Sequence, residues 1–149
     1  MDKYEEAVLE YIIGDPNRFV RYQMDIPYDN EEKCGGSCPD FVAIDFNENT
    51  IYIVEVTVAS DTKAVIAKIK DRESRWYKPL RKLYDKYNPN SKGWDYRVTL
   101  FVRNEEHNSA NRVLESYGDV SVKSIDEALF SWHWDWKGGK PKNLLRNVK

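Results

Sequence analysis

Two carboxylates stand at the outer ends of a pair of short apolar runs. Asp40 opens Asp40-Phe41-Val42-Ala43-Ile44-Asp45-Phe46, and Glu55 lies near the end of Ile51-Tyr52-Ile53-Val54-Glu55-Val56-Thr57. Asn47-Glu48-Asn49-Thr50 between them has the composition of a turn, so the stretch reads as a β-hairpin. Strand side chains alternate with a period of two. With Phe46 set opposite Ile51, the pairs that follow are Ile44 with Ile53, Val42 with Glu55 and Asp40 with Thr57. Asp40 and Glu55 then share a face as diagonal neighbours, with backbones roughly 7–8 Å apart. Carboxylates at that separation suit one hard divalent cation between their oxygens. The plainer reading is that Asp40 caps the entry to its strand and Glu55 is a solvated strand-end residue.

The neighbouring segments must position this hairpin. Tyr4, Ala7, Val8, Tyr11 and Ile12 fall at helical spacing within residues 2–13, and Gly14-Asp15-Pro16 ends that helix. Residues 18–28 alternate, with Val20, Tyr22, Met24 and Ile26 on one face, which predicts a half-exposed strand ended near Pro27. Ser60 reads as the N-cap of a long helix over 61–87, carrying Ile66, Ile69, Trp76, Leu80 and Tyr84 inward. Pro79 is expected to kink or divide it. After the Asn88–Gly93 loop, Tyr96–Val102 is a strand, followed by a helix at about 105–117 ended by Gly118 and a short strand at 120–122. Ser124, with Glu127 three residues on, opens a last helix reaching Trp132.

The chain of 149 residues suits one compact domain, 1–149, with a basic tail from about 137. No apolar run approaches the roughly 20 residues of a membrane helix, and the acidic N-terminus is unlike a signal peptide, so a soluble, cytoplasmic protein without a membrane partner is expected. The only cysteines, Cys34 and Cys38, would need distant His107 and His133 to complete a zinc site, and a disulfide between them is unexpected in a reducing compartment. They flank a glycine-containing loop that delivers the chain to Asp40. The net charge of -2 hides a split: residues 1–59 hold 13 acidic against 4 basic residues, and residues 60–149 hold 12 against 19. An acidic centre beside a basic surface is the pattern of a protein that collects a cation and meets phosphates. Lys63, Lys70, Arg75, Lys78 and Lys82 on the long helix, with Lys140 and Lys142 in the tail, are the candidate phosphate contacts. Trp132-His133-Trp134-Asp135-Trp136 either stacks on unpaired bases or closes a small core or interface.

Pro39-Asp40, a gap of fourteen residues, then Glu55-Val56-Thr57 resembles the signature of the PD-(D/E)XK nucleases, with Thr57 where that family carries lysine. The order helix, strand, strand, strand, helix, strand is similar to that family's core over roughly residues 2–103. The resemblance implies an α/β fold with a restriction-endonuclease-like αβββαβ core and a mixed central sheet flanked by helices. It implies a metal-dependent endonuclease acting on phosphodiester bonds, of DNA ahead of RNA, with Mg²⁺ or Mn²⁺ held by Asp40, Glu55 and the Val56 carbonyl. Many members add a first-helix glutamate, for which Glu5 fits better than Glu6; a helix-dipole role is the alternative. Duplex cutting in the family often uses two active sites, so a homodimer is among its implications. The alternative is a domain that kept the fold, lost catalysis through Thr57 and binds nucleic acid or a protein partner. For the missing charge, Lys63 in the first turn of the long helix is the expected substitute, with Lys70 further along the same flank and Lys68 on the opposite one.

Overall fold

Seven residues, Thr50–Val56, form the central strand of the molecule, and six of them are buried. The computed structural model describes residues 1–27, 36–130 and 145–146. In chain order the elements are α1 (Lys3–Ile13), β1 (Arg18–Tyr22), β2 (Ile26–Pro27), β3 (Gly36–Ser37), β4 (Phe41–Asp45), β5 (Thr50–Val56), α2 (Lys63–Lys70), a π-helical turn (Glu73–Tyr77), α3 (Lys78–Tyr87), β6 (Asp95–Val102), α4 (His107–Leu114), β7 (Val120–Ser124) and α5 (Ile125–Leu129). The main sheet has the order β1-β4-β5-β6-β7. Its first two pairings are antiparallel, β1 with β4 and β4 with β5, and its last two are parallel, β5 with β6 and β6 with β7. β2 and β3 form a separate two-stranded ribbon.

Both faces of this mixed sheet are covered, which is why β5 reads as an almost continuous apolar run. On one face Val42, Ile51 and Ile53 pack against Ile69, Trp76, Leu80 and Tyr84 of the long helical segment and against Ala110 and Leu114 of α4. On the other, Phe41, Ala43, Tyr52 and Val54 pack against Val8, Tyr11 and Ile12 of α1, Ile125 and Ala128 of α5, and Leu145. The chain is therefore α/β, a five-stranded mixed sheet flanked by helices. Among the described residues no helix is long and apolar enough to cross a membrane.

The hairpin forms two positions out of the expected register. Ile44 faces Ile51, Val42 faces Ile53, and Asp45 faces Thr50. The cause is Asp45: its carboxylate accepts the backbone N–H groups of Asn47 and Glu48 at 2.9 and 2.8 Å, which starts the turn at Phe46. Asn49 closes it with φ 53°. Phe46 is a turn residue, 53% exposed, rather than a strand residue. A slip of two keeps every side chain on its expected face; a slip of one would have inverted them all.

The expected strand over 18–28 is broken at Gln23, whose φ is 49°. The break changes faces: Val20 packs with the α1 core, whereas Met24 and Ile26 join the opposite one. The long helix begins at Lys63 rather than after Ser60, with Asp61 accepting the Lys63 N–H at 3.0 Å. Pro79 does divide it. Without an N–H, Pro79 cannot bond the Arg75 carbonyl four residues back and its ring crowds that carbonyl, so the helix widens and Lys78 N–H reaches the Glu73 carbonyl instead. The third helix stops at Leu114, short of Gly118. The last helix has the expected Ser124 and Glu127 capping box, but its five residues end at Leu129.

Candidate active site at the carboxyl end of the central strand

The antiparallel ladder ends with Phe41 opposite Val54, and one step further the same register sets Asp40 across from Glu55. The two carboxylates are thus closer than the diagonal placement expected for them. Asp40 is fixed from two sides. Its Oδ2 accepts the Val56 N–H at 2.7 Å, and its carbonyl accepts the Gln23 N–H at 3.0 Å. Glu55 is only 8% exposed.

Burial pushes the Glu55 carboxyl up to about 8, and the Asp40 charge and a hydrogen bond to Asp40 add to the rise. Near neutral pH, Glu55 therefore holds a proton and donates it to Asp40. Asp40 is also raised: burial dominates, the Val56 N–H and the Glu55 hydrogen bond pull back, and the Glu5 charge pushes up again. The charges of Lys68 and Arg75 oppose the rise of Glu55. No described cation forms a salt bridge with either acid.

Glu5 reaches this site from the first turn of α1, and it also has structural duties. Its Oε2 accepts the Asp2 N–H at 3.2 Å in a capping box and the Tyr22 hydroxyl at 3.3 Å. Glu6 is exposed. Thr57 comes directly after the strand, its N–H donating to the Phe101 carbonyl at 2.9 Å. Its Oγ1 accepts the Ala59 N–H at 3.2 Å, so the hydroxyl is part of the turn that leaves the sheet.

The structure gathers some of the expected residues here and not others. Asp40, Glu55, Val56 and Thr57 are adjacent, Glu5 acts on Asp40, and Arg75 acts on Glu55. Lys63 is exposed in the first turn of α2, and Lys70, Lys78 and Lys82 lie exposed further along. Lys68, expected on the opposite flank from Lys63 and Lys70, is a cation whose charge opposes the rise of Glu55. Tyr22 was missed as a neighbour of Glu5 because no local pattern links β1 to α1. Lys140, Lys142 and the Trp132–Trp136 stretch lie outside the described residues.

Among the described residues, no group of three or more His, Cys, Asp or Glu side chains is arranged to hold a metal ion. What the site offers is two adjacent carboxylates and backbone oxygen. An extended residue turns its N–H and C=O toward the same neighbouring strand, so the Val56 carbonyl faces the Asp40 side as its N–H does. A donor set made only of oxygen suits a hard cation that keeps several of its own waters, as Mg²⁺ does. No protein-family model, curated protein or solved structure matches the chain.

Proposed function

We propose that the chain is a metal-dependent nuclease built on a restriction-endonuclease-like core, hydrolysing phosphodiester bonds of DNA ahead of RNA. The observation that carries this reading is the Asp40 and Glu55 pair, two acids side by side at the end of a buried strand with no salt-bridge partner among the described residues. Such a pair is costly unless a proton or a cation sits between its oxygens. Asp40, Glu55 and the Val56 carbonyl would hold Mg²⁺ or Mn²⁺, with Glu5 beside them. When bound, the metal supplies an acidified water and neutralises charge on the phosphoryl oxygens.

The chain's own residues set the conditions for that chemistry. Val56 N–H orients Asp40, and the Asp40 carboxylate also shares a hydrogen bond with Glu55 that an entering cation would replace. Glu55 must release its proton when a cation enters, which couples binding to pH. The exposed Lys63, Lys70, Lys78 and Lys82 supply phosphate contacts that position a strand without reading it, and Lys140 and Lys142 extend that set in the tail. If cleavage runs through a homodimer, sedimentation on duplex DNA will give twice the protomer mass. Sedimentation as a monomer at working concentration removes that part of the reading.

Thr57 favours a second reading, a domain that binds but does not cut, because its hydroxyl is engaged by Ala59 and it brings no charge. One experiment separates the two. Cleavage of plasmid DNA, branched DNA and RNA is measured with Mg²⁺ or Mn²⁺ for the wild type, Asp40→Ala and Glu55→Ala. Activity that both substitutions abolish supports the nuclease. No cleavage by the wild type, with nucleic-acid binding intact in all three proteins, supports the binding domain.

A further inference from the structure

At the end of the sheet opposite the acids, where the hairpin turns and β6 begins, three aromatic rings stand in a row. Phe19 meets Phe46 edge to face with centroids 5.5 Å apart, and Phe46 meets Trp94 in the same way at 5.4 Å. Phe19 and Phe46 are 66% and 53% exposed, a large apolar surface of a kind that a folded chain ordinarily buries. Beside Phe46 and Trp94 lies a cavity of about 140 Å³, which buried Ile51 and Tyr84 line from the core and Asn88 and Asn90 line from the loop after α3. Ile51 and Glu55 are on one face of β5, four residues apart, which sets the cavity roughly 13 Å along the strand from the acid pair.

The backbone around the cavity is fixed, and the side-chain polar atoms are left open. The Asn88 carbonyl accepts the Ser91 N–H and hydroxyl at 2.9 and 2.8 Å, and the Ser91 carbonyl accepts the Trp94 N–H at 3.2 Å. Phe46 is held from behind, its N–H donating to the Asn17 carbonyl at 3.0 Å. Among the described residues nothing accepts the Trp94 indole N–H, and nothing pairs with the carboxamides of Asn88 and Asn90. Trp76 shows the usual arrangement, its indole N–H donating to Ser37 Oγ at 2.9 Å. Aromatic faces, an open indole donor and two carboxamides that both donate and accept suit a flat ring with a polar edge. The charge alongside narrows the class. Residues 78–92 carry Lys78, Arg81, Lys82, Lys86 and Lys92 against Asp85 alone. A polyanion that bears flat polar rings matches both the cavity and this charge, whereas a neutral sugar matches only the cavity.

We infer that this cavity is a subsite for one unpaired nucleobase, packed against the Phe46 and Trp94 rings and held at its edge by Asn88 and Asn90, while the basic residues of α3 follow the phosphates. The two rings stand at 84° to each other, so a flat base stacks on one and meets the other at a right angle. The inference rests on the nucleic-acid part of the reading above and not on cleavage, so it holds for a nuclease and for a domain that only binds. It adds the class of ligand: a strand with single-stranded nucleotides, as at a gap, an overhang or a branch. A fully paired duplex keeps its bases stacked and offers none to the cavity unless one is flipped out.

The test uses the full chain with EDTA present, so that nothing is cleaved. Uniformly ¹⁵N-labelled protein is titrated with a short oligo(dA) while the indole Nε1–Hε1 resonances are followed, that of Trp94 being identified by its loss in Trp94→Phe. The Trp94 signal should move and saturate. A strand of the same length with abasic sites in place of its bases, and a fully paired duplex, should leave it in place. A Trp94 signal that ignores oligo(dA), or that moves as far with the abasic strand or the duplex, overturns the subsite. In the second arm, read by fluorescence anisotropy, Phe46→Ala should weaken binding of oligo(dA) about 10-fold, the scale of one base–aromatic stack, and leave binding of the abasic strand unchanged. Phe46→Tyr keeps a ring and should bind as the wild type does. Circular dichroism identifies a misfolded Phe46→Ala, and the wild-type titration then decides alone. A Trp94 signal that moves with protein concentration in the absence of nucleic acid, together with a sedimenting dimer that Phe46→Ala dissociates, makes the aromatic row an interface between two copies and removes the inference. If the wild type cleaves nothing when Mn²⁺ is supplied, the nuclease reading fails, and the titration still decides the subsite.

Discussion

Arg72 and Arg75 lie three residues apart on one helical segment, and the protein treats them in opposite ways. Arg72 donates to both oxygens of Asp119, at 2.6 and 2.8 Å, and to the Ile69 carbonyl, and stacks on the Tyr117 ring at 4.5 Å. The Tyr77 hydroxyl adds a third bond to Asp119 at 2.8 Å. Burial alone would push the Asp119 carboxyl up, but these donors outweigh it and hold it below the usual range. Arg75 has Asp71 4.0 Å from its Nε and no hydrogen bond at that atom, and Glu55, which feels its charge, is driven up instead of down. A guanidinium forked onto a carboxylate is a finished structural joint. A buried acid pair that no described cation joins by a salt bridge is an unfinished one.

The largest effect that breaks this comparison is on the finished side. Asp119→Ala removes the acceptor for Arg72 and Tyr77 and should cost about 3 kcal/mol in urea unfolding. Glu55→Gln should leave stability unchanged or raise it, because it removes an acid that is hard to ionise where it stands. A loss from Glu55→Gln as large as that from Asp119→Ala would make the two sites equivalent and end the contrast.

Next in size is the cation. At pH 8, Mn²⁺ at a hundred times its Kd should raise the stability of the wild type by about 2.7 kcal/mol. The gain should vanish in Asp40→Asn and leave the Asp119 variant's metal response intact, as read by thermal melts with and without chelator.

The pH dependence without metal follows from the same acids. Glu55 has a raised pKa in the folded state, so the folded chain binds more protons than the unfolded one between about 4.5 and 8. The stability this group contributes is complete below the unfolded value and is lost as pH rises through the folded one. Stability of the metal-free protein should therefore fall across that window, Asp40 adding to the fall with the same sign. Glu55→Gln should flatten the profile. A wild-type curve that rises over the same range would show that the acids are compensated in a way the structure does not contain.

Much of the candidate site was legible in the sequence because strand parity survives errors of register. Asp40 and Glu55 stay on one face whether the turn begins at Phe46 or later, so the acid pair was visible although the pairing partner was not. The register depended on the Asp45 side chain choosing backbone donors in the turn, a local competition that alternation does not record. Ser124 with Glu127 announced a helix start correctly, since both halves of a capping box lie within four residues. The course of the long helix was harder: the pattern of Ile66, Ile69, Trp76 and Leu80 assumes a constant helical period, and the turn before Pro79 is π-helical. Gln23 escaped for a related reason: one residue with positive φ reverses the facing of everything after it, while leaving the apolar alternation of the sequence unbroken.

The smallest effect concerns the exposed basic residues. Neutralising Lys70 and Lys78 together should weaken DNA binding for all sequences alike and reduce the slope of log K against log salt by about 2, one unit for each phosphate no longer neutralised. An unchanged slope would take this face of the helix out of the interface.

The extra residue of the π turn is slack in the helix, and slack of this kind can travel. Passing it one step along hands a hydrogen bond from one carbonyl to the next and swings the residue it passes by roughly 100° about the axis. Here its travel is stopped at both ends. Beyond it, Pro79 has no N–H with which to reclaim the Arg75 carbonyl. Before it, Arg72 is bolted to Asp119. The joint that looks purely architectural thus acts as the stop on a swivel, and loosening Asp119 would free the wide turn to shift along the helix.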